Sequence, residues 1–216
     1  MSKHLVRRHS YVARVGHWLT VFSFFVVTLS GLAFFFPSLR WLTAIFGTPQ
    51  LAQLLHPIFG IIMILGLCIL FVKNVAHAIL DKDDVPWFTN VIEILKGREH
   101  EVVEVGQYNA GQKMLFWTII GLGAVLIVTG IIAWQPYFAP LFPVSVVRLC
   151  LVLHSLSAIA LMLGIIVHAY MAFWYKGTIR GMIRGTVTRK WAALHHPRWL
   201  REIEKGEDAH SSRLSS

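Results

Sequence analysis

The chain has 216 residues, a formal net charge of +9, and 56% hydrophobic residues, above the usual soluble range of about 45–50%. The apolar excess is gathered into four blocks, which excludes an ordinary soluble globular protein. The basic residues crowd the chain ends and the central loop that flank those blocks, so they read as membrane topology anchors and no nucleic acid is expected as a partner.

No cleavable signal peptide is evident, because the first apolar run lacks a small-residue cleavage site before Pro37-Ser38. It reads as a retained first span over residues 17–36. Further spans are expected over 51–75, 113–134 and 146–175. Each reaches the roughly 20 residues that a helix needs to cross about 30 Å of hydrocarbon. The expected fold is all-α: an integral membrane four-helix bundle forming one domain over 1–216, with a tail from residue 176.

The connections differ in charge. The short ones, 37–50 and 135–145, hold one basic residue, Arg40. The N-terminal arm carries Lys3, Arg7, Arg8 and Arg14, the loop 76–112 carries Lys82, Lys96 and Arg98, and the tail carries nine more. The positive-inside rule puts both termini and the long loop in the cytoplasm. Trp18, Trp41, Trp117, Trp134 and Trp174 lie near span ends, as an interfacial belt would. The tail reads as a helix on the headgroups or a partner-docking segment, with the last ten residues disordered. Cys68 and Cys150 form no CxxC or CxxCH and read as small buried hydrophobes.

Four of the eleven histidines fall inside spans: His17, His56, His154 and His168. Ionisable groups within a membrane are costly and mark function. On the expected topology His17 and His168 lie at the cytoplasmic depth, and His56 and His154 at the outer depth. His154 and His168 are 14 residues apart, a turn of about 1400° and so within about 40° of four full turns. Two histidine pairs stacked across the bilayer suit two haem b groups, because two neutral imidazoles fill both axial positions of a low-spin iron. The competing readings are interhelical hydrogen bonding and a zinc or copper site. No carboxylate lies in any span to complete such a site. Gly31, Gly60 and Gly164 share faces with these histidines and could admit a porphyrin or pack helices closely. Pro57 follows His56, so a kink or irregular turn is expected there.

The segment Tyr108-Asn109-Ala110-Gly111-Gln112-Lys113 opens the third span. From spacing alone it reads as a helix N-terminus, with Asn109 as N-cap and Lys113 as an interface anchor. Its amides would also suit a quinone headgroup. His195-His196, in a basic stretch without Cys or acidic neighbours, reads as a solvated or docking surface rather than a metal site.

The stretches GTPQLAQLLHP (47–57), YNAGQK (108–113), WQPYFAP (134–140), LHSLSA (153–158), VHAYMAFWYKGTIRGM (167–182) and HHPRW (195–199) carry a resemblance over nearly the whole chain. The chain resembles the gamma subunit, cytochrome b556, of respiratory membrane-bound formate dehydrogenase. The four-span, four-histidine layout alone is shared with cytochrome b subunits of nickel–iron hydrogenases and thiosulfate reductases; a haem-free membrane anchor or transporter is the remaining alternative.

The resemblance implies a complex of anaerobic respiration in the bacterial inner membrane. A molybdenum-containing alpha subunit would oxidise formate outside the cytoplasm, so formate catalysis would not belong to this chain. An iron–sulfur beta subunit with its own membrane helix would pass electrons to an outer haem at His56 and His154. They would continue to an inner haem at His17 and His168, then to menaquinone. Asn109, Gly111 and His168 match quinone-site positions, and Gln112 lies beside them. The assembly would be a trimer of heterotrimers. Gln135 departs from the pattern, which is expected to have Arg there; Arg40 and Arg148 could substitute.

Overall fold

The structure is a computed structural model that describes residues 4–96 and 104–214. Lys3, Arg98 and His100 lie outside the described residues. Four long helices dominate: α1 (Tyr11–Phe35), α2 (Pro49–Asn74), α5 (Ala110–Ala133) and α6 (Val144–Trp174). The shortest has 24 residues, about 36 Å at ~1.5 Å per residue, enough to cross a bilayer. No more than 17% of the apolar window of each is buried. Phe22, Leu65, Val72, Leu163 and Ile166 are all exposed, as a surface that meets acyl chains requires.

The helices start a few residues earlier than hydropathy alone suggests, because they continue until a cap or a proline defines the end. Thr48 accepts the Leu51 N–H through its hydroxyl (3.1 Å) and Pro49 takes the first helical position of α2. α1 ends before Pro37, which opens a 3₁₀ helix over Pro37–Phe46. Gly47 closes that turn at φ 89°, a conformation that favours glycine. α2 runs unbroken through Pro57, so the expected irregular turn does not form. The ring removes only the bond to the Gln53 carbonyl, and membrane helices tolerate such a loss where neighbours support them.

Two compact units emerge. One takes in Tyr11–Lys73 and Trp117–Met171, the bulk of the four long helices. Its core is Met63, Leu126 and Leu161, with Phe24, Val27, Ile119, Leu122, Ala158 and Ile165 packed around them. α1 and α2 approach closely at Gly16 and Gly66: a Cβ on Gly16 would stand 2.8 Å from the Ile69 side chain. Cys150 is buried, but Cys68 is exposed. Cys68 therefore faces outward, a position that costs a small thiol little where the surroundings are hydrocarbon.

The other unit joins Met1–Ser10, Asn74–Phe116 and Ala172–Ser216, the polar segments that flank the long helices. A strand β1 (Leu5–Arg7) pairs antiparallel with β2 (Thr186–Thr188), Val6 opposite Val187, a small departure from an all-α chain. The loop carries short helices α3 (Val85–Thr89) and α4 (Val91–Leu95). The tail carries α7 (Thr178–Arg184), α8 (Arg189–His195) and α9 (Pro197–Leu214). The core of this unit is Val6, Val187, Ala192, Trp199 and Leu200, flanked by Trp191 and Ile203. The tail is thus folded around an apolar core with the N-terminal arm. The last ten residues are not disordered throughout: no proline interrupts α9 after Pro197, and its backbone stays helical to Leu214.

Candidate functional site

The membrane unit brings the four histidines together in two pairs. His56 of α2 faces His154 of α6 with ring centroids 6.3 Å apart, and His17 of α1 faces His168 of α6 at 6.5 Å. An imidazole nitrogen lies about 1.1 Å from its ring centroid. At 6.3 Å the ring nitrogens can therefore approach no closer than about 4.1 Å (6.3 − 2 × 1.1), too far for a hydrogen bond. A metal between two coaxial imidazoles, with bonds of about 2 Å, needs centroids about 6.2 Å apart. Both pairs have the separation of two axial ligands on one metal. Among the described residues no group of three or more His, Cys, Asp or Glu could hold an ion, which removes the ligand set of a tetrahedral zinc site. Two imidazole nitrogens at this separation fit what a haem iron asks of a protein.

The His56/His154 pair is supported by a repeated device. Ser30 Oγ donates to the Val26 carbonyl (2.7 Å) and stands 2.8 Å from His56 Nδ1. Thr129 Oγ1 donates to the Val125 carbonyl (2.7 Å) and stands 3.0 Å from His154 Nδ1. Each hydroxyl proton is committed to its own helix, so the hydroxyl oxygen accepts and the imidazole Nδ1–H donates. The lone pair at Nε2 is then left for a metal. The next residue in each case is glycine. A Cβ on Gly31 would lie 3.4 Å from His56 Cε1, and one on Gly130 would lie 3.2 Å from His154 Cε1. Sequence reasoning picked out Gly31 but missed Ser30, Thr129 and Gly130. The signal was the paired dipeptide, Ser-Gly near the end of α1 and Thr-Gly near the end of α5. The buried Nδ1 of His17 has no hydrogen-bond partner among the described residues.

Asn109 is the N-cap of α5. Its Oδ1 accepts the Gln112 N–H (2.8 Å), and Gln112 Oε1 accepts the Asn109 N–H (3.1 Å), a reciprocal capping box. The box uses the amide oxygens only. Gly111 makes room for Trp87, whose ring would stand 2.8 Å from a Cβ there. Lys113 is not an interface anchor. It is buried, with Nζ 2.7 Å from Asp84 Oδ2 and 3.3 Å from Asp81 Oδ2. Buried cations persist only when paired in this way.

The reading of His195-His196 as a solvated surface fails at His196, which is 4% exposed. Its Nδ1–H donates to the Gly106 carbonyl (2.7 Å), which leaves Nε2 to accept from Arg8 Nη2 (3.3 Å). Arg8 also donates to the Gln107 carbonyl and lies over the Trp199 ring at 4.6 Å and the Tyr108 ring at 5.4 Å. Burial, then the Arg8 charge, pushes the His196 pKa down to about 3. Burial pushes Arg8 down to about 10 and Tyr108 up. Tyr108 donates to Asn74 Oδ1 (2.8 Å). The segment that leads into Asn109 is therefore pinned to the N-terminal arm and the tail. Gln135, Arg40 and Arg148 are all exposed.

This combination of four apolar helices and facing histidine pairs has a known class. Residues 8–185 match the model of the family described as prokaryotic cytochrome b561, and the chain belongs to that family of membrane cytochromes b. Within it the chain stands with the cytochrome b556 subunits of formate dehydrogenase. It is 54% identical over 208 residues to the cytochrome b556(Fdn) subunit of the nitrate-inducible formate dehydrogenase of Escherichia coli K12, covering 96% of each chain. It is 51% identical over 195 residues to the formate dehydrogenase cytochrome b556 subunit of Haemophilus influenzae, covering 90% of this chain and 82% of that one. It is 46% identical over 198 residues to the cytochrome b556(fdo) subunit of Escherichia coli K12, covering 92% and 93%.

Proposed function

We propose that the chain is the electron-carrying membrane subunit of a formate dehydrogenase, holding two haem b groups in a bacterial inner membrane and delivering formate-derived electrons to menaquinone. The observation that carries the reading is the separation of the facing imidazoles, 6.3 and 6.5 Å, close to the roughly 6.2 Å that one iron between two axial nitrogens requires. Haem b held by each pair would supply a one-electron carrier.

His56 and His154 hold the outer group, the entry point for electrons from an iron–sulfur beta subunit with its own membrane helix. His17 and His168 hold the inner one. Ser30 and Thr129 orient the outer imidazoles, and Gly31 and Gly130 keep the space beside them clear. At the start of α5, Asn109, Gly111 and Gln112 are the menaquinone-binding residues. Amide NH2 groups and a backbone N–H are suitable donors to quinone carbonyls, and the capping box orients both amides. Protons for the quinol come from the cytoplasm, where the positive-inside rule puts both termini. Negative charge then moves inward, which energises the membrane. Formate is oxidised on a molybdenum-containing alpha subunit, and the complex assembles as a trimer of heterotrimers.

The test is His154→Ala in the assembled complex. About half of the reduced haem b absorbance is expected to disappear from membranes. Unchanged haem content at normal protein level would remove His154 from the ligand set.

A further inference from the structure

The two histidine pairs differ in how their outward nitrogens are held. At the outer pair both imidazoles donate Nδ1–H to a hydroxyl, Ser30 at 2.8 Å and Thr129 at 3.0 Å. Both hydroxyls have given their own proton to the helix turn behind them. At the other pair, the buried Nδ1 of His17 has no partner among the described residues.

An imidazole that donates a hydrogen bond from Nδ1 becomes more basic at Nε2. A more basic axial ligand stabilises ferric over ferrous iron and lowers the reduction potential. Resting on the bis-histidine reading, we propose that Ser30 and Thr129 are positioning residues that hold the outer haem at the lower potential. They act through His56 and His154, and they make transfer toward the His17/His168 haem downhill. The balance is simple: one electron leaves a ferrous iron at His56/His154, one ferric iron at His17/His168 is reduced, and no proton moves. The same hydroxyls lock the tautomer, so the direction of flow is written into the helices rather than into the haem. The repetition supports a ligand-directed role. Two helices distant in sequence present the same hydroxyl-then-glycine pair, each to one imidazole, and a Cβ on either glycine would lie 3.4 or 3.2 Å from Cε1.

The experiment is an optical redox titration of the purified, assembled complex, with haem content measured in parallel. The double variant Ser30→Ala, Thr129→Ala is expected to keep both haems. Its lower midpoint should rise: at fixed ambient potential the ferric-to-ferrous ratio of that haem falls roughly tenfold, about 59 mV for one electron. The conservative double variant Ser30→Thr, Thr129→Ser keeps both hydroxyls and should keep the wild-type midpoint. Unchanged midpoints in the alanine double variant, with both haems bound, would overturn the proposal and leave the ligand assignment standing. So would a shift confined to the higher-potential haem. If the alanine variant loses haem, the single variants are titrated in its place, and equal midpoints there count against the proposal. Failure of the ligand assignment itself has a different signature, full haem content in His154→Ala.

Discussion

Acidification should open the polar unit through His196. In the folded chain its pKa is about 3, against an ordinary 6.5. The cause is geometric: Nδ1–H is used on the Gly106 carbonyl and Nε2 faces the Arg8 guanidinium, so a second ring proton would point at a cation. His195 and His9 lie near enough to oppose it further. Because the folded pKa is depressed, the opened state takes up the proton first. The stabilisation is complete above pH 6.5 and is lost as pH falls through the window from about 6.5 to about 3. Each pH unit below 6.5 costs about 1.4 kcal/mol. Going from pH 7.5 to 5.0 therefore removes about 2 kcal/mol, or roughly thirtyfold in the opening equilibrium. Hydrogen exchange at the Val6 and Val187 amides reads this opening, once corrected for intrinsic exchange rates. The variant His196→Gln cannot titrate and should lose the pH-dependent part. Equal pH slopes in wild type and His196→Gln would refute the reasoning.

Three further outcomes are expected. Gly130→Val should displace His154, since even a Cβ would stand 3.2 Å from its Cε1. The haem proposed at His56/His154 would be lost, while Gly121→Ala, which meets nothing within 4 Å, would leave haem content unchanged, as pyridine haemochrome assays can establish. Lys113→Met leaves the buried Asp84 carboxylate, 2.7 Å from Nζ, without its close partner and should cost about 3–5 kcal/mol. Thermal denaturation in detergent should show much of that recovered in Lys113→Met, Asp84→Leu. Asn109→Asp keeps the capping oxygen and removes the NH2 group, so menaquinone reduction should fall at least about tenfold with little change in helix stability; an unchanged rate would contradict the quinone role of Asn109.

Much of the membrane unit was legible because hydrocarbon imposes a simple rule. Length and apolarity marked the four spans, and counting depth along an up-and-down topology paired His17 with His168 and His56 with His154. The spans were read short at their starts, because caps such as Thr48 and Asn109 sit outside the apolar runs. The irregular turn expected at Pro57 is absent because a rule about the residue before proline yields to a helix held by its neighbours. Ser30 and Thr129 were passed over because a hydroxyl bonded to its own helix turn leaves no mark in hydropathy. The polar unit was the least legible. Arg8 and His196 meet across 188 positions, and nothing local in HHPRW says that its second histidine is buried. Lys113 likewise resembles an interface anchor until Asp84, from a separate loop, closes over it.

The most direct measurement is haem b per chain in the assembled complex, taken for the wild type and for single alanine variants at His17, His56, His154 and His168. Two haems are expected in the wild type. One fewer is expected in each variant, with His56 and His154 removing the same spectral component and His17 and His168 removing the other. One haem in the wild type, or variants that pair differently, would contradict the ligand assignment.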